Sequence, residues 1–418
     1  MTAQDRPLKG AWGITALLFL FMLINFADKI VVGLIGMDGL GLRPEQFGLL
    51  GSSFFFLFAI SAIVVGFVAN RVPAKHTLLA MALVWSVVQF PMLFTASFGV
   101  MLASRIVLGA GEGPAAPVAT HAMYKWFPDS RRGLPTAILA QGSAVGVILA
   151  VPILTEIIKR FTWHWAFGAL GIAGLLWSAA WLVFGREGTL VDPPVSEATG
   201  GADRIPYRYL LTCPTIVAVC CAGFASYWGL ALGLTWFPSY LMSGLGLEET
   251  VARNLSILPW IFGSIVVLTG GYVSQHLKSK GVSSRACRGA LAAITMMVGG
   301  CVLPLVGSMP SIPLKIAVLV FGSAIGSTIY VVIPMIVSEL TPQSQRAGML
   351  AIVNSVVTLA GVIAPFIMGA MVQHAASPLA GFESGYVVFG LLFIRPEADR
   401  KRLAARAVPA LPLSPARA

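Results

Sequence analysis

The sequence predicts an all-α polytopic membrane protein with twelve transmembrane helices in two pseudo-symmetric six-helix bundles. Hydrophobic residues make up 57% of its 418 residues and charged residues only 11%, which is far from the composition of water-soluble domains. The apolar residues are gathered into runs long enough to cross a bilayer, and short polar turns separate them. The third observation is that the second half of the chain repeats the plan of the first.

The distribution of charge predicts the topology. The formal net charge is +11, and most of the 28 Lys and Arg residues lie in turns at one predicted side of the membrane. This asymmetry follows the positive-inside rule, so it predicts cytoplasmic termini and excludes a nucleic-acid partner. The first apolar run has no small-residue cleavage site and is too long for a signal peptide, which predicts a retained helix. We expect a multi-pass monomer in a bacterial inner membrane.

Residues 1–184 are predicted to form the N-terminal six-helix bundle. Its predicted helices are Trp12–Leu34, Phe47–Val68, Thr77–Thr95, Phe98–Met123, Leu134–Ile157 and Trp165–Phe184. Residues 185–214 then turn polar and rich in Gly and Pro, which predicts a central cytoplasmic linker and no separate domain.

Residues 215–394 are predicted to form the C-terminal bundle. Its first five predicted helices are Thr215–Tyr240, Val251–Val273, Ala290–Val306, Pro313–Val337 and Gly348–Val372. The turn T-P-Q-S-Q-R-A-G in this half mirrors F-P-D-S-R-R-G in the first half, with Pro and Arg at the same spacing. The two halves are therefore predicted to be an internal duplication.

The predicted twelfth helix is unusually short. Only Tyr386–Ile394 is apolar before a basic segment, 395–418, which we expect to be a cytoplasmic tail. Nine residues are about half of a membrane span. Two explanations stay open: polar residues from Ser377 onward enter the membrane, or roughly ten residues have been lost from a spanning helix of ordinary length.

Four charged residues interrupt the apolar runs of the first and fourth predicted helices: Asp28, Lys29, Arg105 and Glu112. A charge at membrane depth costs about 2.5–3.5 kcal/mol, so such residues normally face a bundle interior and serve a function there. Arg105 and Glu112 are seven residues apart and share one helical face. Counting depth along the helices predicts that Asp28 pairs with Arg105 and that Glu112 lies near Lys29. A purely structural cluster of four charges is the alternative.

The turn after the second helix resembles the signature of the major facilitator superfamily, G-x-x-x-D-R-x-G-x-R/K. This chain supplies Gly66, Arg71 and Lys75 but has Asn70 and Pro73 in place of the usual Asp and Gly. The resemblance implies that this turn is a conformational gate, which holds the two halves together on the cytoplasmic side. Because Asn70 lacks the negative charge, we expect a weaker latch.

Further motifs resemble the anion:cation symporter family within that superfamily. They are N-F-A-D-K in the first helix, R-x-x-x-G-x-x-E-G-P-x-x-P in the fourth, and the segments W-F-P-D-S-R-R-G, W-H-W-A-F and W-F-P-S-Y-L. The resemblance implies uptake of a small organic carboxylate, such as a sugar acid or an aromatic acid, by alternating access. It implies Gln141 and Asn354 as substrate contacts, with an ordinary interhelical hydrogen bond as the alternative for each. Tyr227 is a further polar residue in an apolar run that is a candidate for the binding site.

The four membrane charges predict how transport is driven. Two acids and two bases sum to zero, so protonating Asp28 or Glu112 leaves a positive site that attracts an anion to Lys29. This predicts proton-coupled symport, with a small organic anion, protons and the lipid bilayer as partners and the proton gradient in place of any cofactor. A proton-antiporting exporter of amphipathic compounds stays as the alternative, and a sensor or passive pore is a different class. The sequence has no P-loop, metal-ligand cluster or nucleophile with a base, which excludes an ATPase or an enzyme.

Overall fold

The computed structural model describes residues 7–68, 72–128, 131–190, 205–341 and 345–404. Over these ranges every regular element is helical and no strand occurs. Ten of the helical segments are long and apolar enough to cross a bilayer. A broken fourth helix and a shorter final helix complete twelve, so the predicted all-α polytopic fold class is confirmed.

The helices are named α1 to α12 in chain order. They are α1 (Ala11–Gly39), α2 (Pro44–Val65), α3 (Ala74–Leu93), α4 (the two pieces Phe98–Glu112 and Ala115–Tyr124), α5 (Gly133–Arg160), α6 (Trp163–Phe184), α7 (Pro214–Thr235), α8 (Glu249–Ser279), α9 (Ala286–Ser308), α10 (Ile312–Leu340), α11 (Gly348–His374) and α12 (Pro378–Ala404).

The interruption of α4 places Glu112 against α2. The first piece ends at Glu112, and Gly113 and Pro114 separate it from the second piece. A Cβ atom at Gly109 or at Gly113 would overlap a main-chain carbonyl oxygen of α2, that of Phe54 or of Phe58. Only glycine permits so close an approach. The two glycines therefore hold the charged face of α4 against α2.

The structure explains the short twelfth helix. The helix begins at Pro378, so the polar residues after Ser377 form its first turns, as the first of the two explanations predicts. Glu383 in these turns forms an ion pair with Lys315 of α10, with 2.5 Å between Nζ and the carboxylate oxygen. A paired carboxylate is far less costly to bury than an isolated one. The apolar part, Pro378–Phe393, is still shorter than the other spans.

The two halves pack against each other at the predicted outer end. Phe47 of α2 lies edge-on to Trp236 beyond α7, with 4.8 Å between ring centroids. The Trp236 indole donates to the carbonyl of Pro365 in α11, and Ser52 Oγ of α2 accepts from the Phe366 amide of α11 at 3.0 Å. The outer halves of α2 and α11 are therefore joined tightly.

The face of α11 that contacts α2 becomes exposed towards the predicted cytoplasmic end. Gly361, Pro365 and Gly369 form the face of α11 that contacts α2. Asn354 lies two turns earlier on the same face and is exposed. The face of α11 that contacts α2 is therefore uncovered at the level of Asn354.

The predicted gate turn is described only in part. Gly66 lies in a helical turn that continues α2 to Val68, and Lys75 lies in the first turn of α3, while Asn70 and Arg71 lie outside the described residues. The amides of Ala74 and Lys75 donate to the Glu187 carboxylate at 3.2 and 3.0 Å. A carboxylate at this helix N-terminus therefore comes from Glu187, which follows α6 in the same half of the chain.

Candidate functional site

An ion pair between α1 and α4 lies at the centre of the first six helices. The Lys29 ammonium is 2.7 Å from a Glu112 carboxylate oxygen, and both residues are buried, at 6% and 1% exposure. Lys29 also donates to the Asn25 side-chain amide oxygen and to the Asn25 carbonyl oxygen, one turn earlier in α1. The prediction that Glu112 lies near Lys29 is confirmed by this geometry.

Arg105 contacts Asp28 differently from the prediction. Its guanidinium donates to the main-chain carbonyl oxygen of Asp28 at 3.2 Å, and it lies over the Phe54 ring at 4.7 Å from the centroid. Among the described residues neither carboxylate oxygen of Asp28 has a hydrogen-bond partner. The predicted Asp28–Arg105 ion pair is therefore wrong for this conformation: the two residues meet, but through the backbone of α1.

The two buried acids lie beside each other. The Asp28 and Glu112 side chains are both buried, and they lie near enough for their charges to interact. Both Glu112 oxygens lack a hydrogen-bond donor within the described part of the chain apart from the Lys29 ion pair. Like charges in a buried site repel, so one proton bound by either acid relieves this repulsion. The site thus holds two acids and two bases in mutual contact range.

Gln89 of α3 completes the polar surroundings of Asp28, and it was missed by the sequence analysis. It is buried and lies near the Asp28 carboxylate, but its amide nitrogen has no acceptor within hydrogen-bond distance among the described residues. A cavity of about 10 Å³ lies beside it and Arg105, with Ser104 and Phe167 also in its wall. This is room for about one water molecule. Its position as a polar residue inside the apolar run of α3 is the sequence feature that could have identified it.

Aromatic rings surround the Lys29 ammonium. Its nitrogen lies 4.5 Å from the ring centroid of Phe26, 5.6 Å from that of Phe54 and 5.7 Å from that of Phe58. Such distances are within the range of cation–π attraction, which stabilises the ammonium after water is excluded. The sequence analysis did not find this cage, because phenylalanine in an apolar helix carries no distinguishing pattern.

The other predicted substrate residues lie at varying distances from the ion pair. Tyr227 of α7 packs edge-on against Phe55, with 5.7 Å between the ring centroids. Gln141 is half-buried in α5, next to Gly142, which packs against α1. Asn354 is exposed on α11, two turns before Gly361. Tyr227 thus packs on a residue next to Phe54, whose ring lies by Lys29 and Arg105, while no contact within the described ranges joins Gln141 or Asn354 to the charges.

A bundle of apolar helices that buries paired charges inside one of its halves is the architecture of a membrane transporter. The first and last six helices are joined at the predicted outer end, where α2 contacts α11 and α1 contacts α8. Over the described residues no group of three or more His, Cys, Asp or Glu side chains could hold a metal ion.

Comparison with known proteins agrees with this class. The sequence profile described as Major Facilitator Superfamily matches residues 17–307, so the chain belongs to that superfamily of transporters and is not an enzyme. Relatives of the anion:cation symporter type support the branch that the motifs indicate. A hexuronate transporter of Bacillus subtilis is 28% identical over 407 residues, with 92% of this chain and 95% of the relative covered.

Two further comparisons extend the result. A D-galactonate transporter of Escherichia coli is 24% identical over 424 residues, with 95% of this chain and 98% of the relative covered. The crystal structure of a bacterial homologue of the human lysosomal transporter Spinster has a TM-score of 0.78 at 16% identity, covering 96% of this chain and 98% of the other. At this identity the structural likeness establishes the fold alone.

Proposed function

We propose that this protein imports a small organic carboxylate together with a proton by alternating access. The observation that carries the proposal is the buried Lys29–Glu112 ion pair. While Glu112 is ionised it occupies the ammonium that an anionic substrate would need. Once Glu112 takes up a proton, Lys29 is released to bind the substrate carboxylate.

The energetics of buried charge make the two binding events interdependent. An unpaired charge in this site costs several kcal/mol. Lys29 is paired when the site is empty, by Glu112, and again when proton and substrate are both bound. With the proton alone, Lys29 is left unpaired, and with the anion alone, Glu112 loses its partner. Only the empty and the fully loaded site can then change conformation easily, which is the condition for symport.

The remaining charges support the same site. Asp28 provides a second buried carboxylate that can hold the proton beside Glu112. Arg105 holds the main chain of α1 at Asp28 and keeps the local charge balanced. We assign Tyr227 to the substrate pocket from its position, and Gln141 and Asn354 to the walls of the transport path.

The contacts at the two ends of the bundle support a conformation closed to the outside and open towards the cytoplasm. Outer contacts join α1 and α2 to α7, α8 and α11, whereas Asn354 is uncovered below them. The orientation in the membrane, with cytoplasmic termini and a bacterial inner-membrane location, and the monomeric state belong to the proposal. So does the division into bundles 1–184 and 215–394.

Uptake into proteoliposomes tests this function. The purified protein is reconstituted, and uptake of a set of sugar acids and aromatic acids is measured with and without an inward proton gradient. We expect at least one acid to accumulate above its external concentration only when the gradient is present. Accumulation that ignores the gradient for every acid, or proton-driven extrusion of amphipathic compounds without carboxylate uptake, would contradict the proposal.

A further inference from the structure

The Lys29 ammonium has one donor to offer a substrate. An ammonium group carries three N–H donors and no acceptor. Two of its contacts are with Asn25, at the side-chain amide oxygen and at the main-chain carbonyl oxygen. The third is the Glu112 carboxylate. An anion that replaces Glu112 therefore meets a single donor of Lys29, which satisfies one of the two oxygens of a carboxylate.

Asn25 carries a second donor beside this one. Asn25 and Lys29 are four residues apart in α1, so they share one helical face. Since an ammonium can only donate, the amide oxygen of Asn25 must face Lys29, which leaves the amide nitrogen for another partner. Asn25 is 1% exposed, and its Nδ2 has no acceptor in the described part of the chain. A buried donor without an acceptor is costly, so an acceptor that reaches it is bound more tightly.

The spacing of the two donors fits a carboxylate. The amide oxygen and nitrogen of Asn25 are bonded to one carbon atom and the oxygen contacts the ammonium, so Nδ2 lies within about 5 Å of Lys29 Nζ. The two oxygens of a carboxylate are about 2.2 Å apart, and each accepts a bond about 2.8 Å long. A carboxylate can therefore bridge Nζ and Nδ2, with one oxygen on each donor.

Two other buried donors of the charged cluster lie on the Asp28 side. Gln89 Nε2 and Arg105 Nε also lack an acceptor within the described ranges. Both side chains line the small cavity beside Asp28, whose described wall includes neither Asn25 nor Lys29. Gln89 also lies near the Asp28 carboxylate. Asn25 Nδ2 is therefore the donor that the contacts tie to the Lys29 ammonium itself.

We propose that Asn25 and Lys29 together form the carboxylate-binding fork of this transporter, with Asn25 Nδ2 donating to the second oxygen of the substrate carboxylate. This inference rests on the proposed function and identifies a further binding residue in the same site. In the empty site the amide oxygen of Asn25 holds the ammonium, and in the loaded site its amide nitrogen binds the anion as well. The asparagine thereby gives a lysine the two-point recognition that an arginine has by itself.

A double-mutant cycle with Lys29→Arg tests the fork. Titration calorimetry on the purified full-length protein uses D-galacturonate and benzoate as probes, one sugar acid and one aromatic acid. We expect Asn25→Leu to weaken the binding of the tighter probe by about tenfold to a hundredfold, because a hydrogen bond to a charged group is lost. In the Lys29→Arg background the guanidinium supplies two donors of its own. The same substitution should weaken binding there by less than about threefold.

The arginine background also separates a direct bond from a positioning role. If Asn25 only holds the basic side chain in place, Asn25→Leu weakens binding equally in both backgrounds, and that result overturns the inference. Asn25→Ala also lacks the donor, and it repeats the comparison should Asn25→Leu not fold. Asn254→Leu is the matched control, because Asn254 of α8 is exposed and this variant should bind the probe as the unaltered protein does.

The proton balance of the same titrations separates this inference from the proposed function. Titration in buffers of different ionisation enthalpy measures the protons taken up with each anion, and symport predicts about one. Binding that depends on Asn25 but takes up no proton contradicts coupling and leaves the fork standing. Proton-linked binding that Asn25→Leu leaves unchanged overturns the fork and leaves symport standing. Absence of binding by both probes contradicts the proposed function and the fork with it.

Discussion

Arg253 of α8 donates its Nε hydrogen to the main-chain carbonyl oxygen of Leu34 in α1 at 2.8 Å, and this bond joins the two halves at the predicted outer end. The Arg253 side chain is buried and also pairs with Glu249 one turn away at 2.7 Å. Gly36 has non-helical angles, which interrupts the hydrogen-bond ladder of α1 and makes the Leu34 carbonyl available. A second bond across the halves, from Ser243 to Asp38 at 2.6 Å, lies beside it.

Loss of the Arg253 contact should open the outer end more often. Arg253→Gln removes a buried charge-assisted hydrogen bond, and we expect a shift of about 1.5–3 kcal/mol towards the outward-open state. The measurement is labelling of Ser239→Cys, in a background without the native cysteines, by a membrane-impermeant maleimide. Ser239 is fully buried at this interface, so it reacts only when the interface opens. The control is Arg160→Gln, whose arginine is exposed and pairs within its own helix.

The prediction fails if Ser239→Cys reacts at the same rate in the Arg253→Gln variant as with Arg253 present. A faster rate in the Arg160→Gln control would show that surface charge, and not the contact with Leu34, governs the labelling.

Gly36 should tolerate no other residue. Its φ of 77° and ψ of 168° lie in a region that is essentially restricted to glycine, and an added Cβ would also lie 2.9 Å from the Met242 methyl carbon. We expect Gly36→Ala to lower the free energy of unfolding by about 1–3 kcal/mol. Thermal unfolding in detergent measures it. Gly13→Ala is the control, because Gly13 is helical with no atom within 4 Å of the added carbon, and its unfolding temperature should not fall.

Much of this site was predictable from the sequence, and the limits have a physical cause. Charged residues in apolar runs stand out, so Asp28, Lys29, Arg105 and Glu112 were found, and depth counting placed Glu112 correctly beside Lys29. Depth counting gives height along a helix but not rotation about its axis. Consecutive residues point about 100° apart. Arg105 therefore reached the level of Asp28 but met its carbonyl oxygen, which no sequence pattern indicates.

Contacts between distant segments were equally hidden. The sequence predicts only a weaker latch at Asn70, and no residue is identified from it for the N-terminus of α3. Glu187 provides a carboxylate there from 112 residues further on, at the end of α6. No local rule connects these positions, since the contact depends on how α3, α4 and α6 pack.

Glu187 should make the junction of α3, α4 and α6 at the predicted cytoplasmic end sensitive to acid. Partial burial acts to raise the pKa of its carboxyl, but hydrogen bonds from Lys125 and from the amides of Lys75 and Ala74 outweigh it, and the pKa lies below its usual range. A lowered pKa contributes stability above the unfolded value, about 4.3, and this contribution is lost as the pH falls through the folded value. We expect Glu187→Gln to unfold at a lower temperature than the unaltered protein at pH 7.

The difference in unfolding temperature should shrink when both proteins are measured near pH 4. Glu156→Gln is the control, because its carboxylate lies in an exposed pair within α5 and should contribute little at any pH. A difference for Glu187→Gln that stays constant from pH 7 to pH 4 would contradict this role of the carboxylate.

The Lys29–Glu112 pair should show strong coupling in a double-mutant cycle. Lys29→Met alone leaves Glu112 buried without its counter-ion and should cost about 3–5 kcal/mol of stability or force Glu112 to bind a proton. Adding Glu112→Gln should recover much of the lost stability, because no charge is then left unpaired. Anion binding should remain absent in the double variant and remain largely present in Lys29→Arg. Thermal unfolding measures the stability of each variant, and calorimetric titration of the same samples measures anion binding. If the stability changes of the two substitutions simply add, Lys29 and Glu112 are not energetically coupled and the prediction is wrong.

The central claim is that Glu112 carries the coupled proton, and Glu112→Gln tests it most directly. Glutamine imitates the protonated acid permanently, so Lys29 stays available to the anion. In reconstituted vesicles the variant should therefore bind anion and exchange it when both sides are loaded, since exchange needs no proton to leave. It should not concentrate anion under an inward proton gradient. Asp28→Asn is the comparison variant, because Asp28 is the other buried acid. Its counterflow and proton-driven accumulation are measured in parallel. Counterflow that persists while proton-driven accumulation disappears is the predicted result, and accumulation by Glu112→Gln under the gradient would contradict the account.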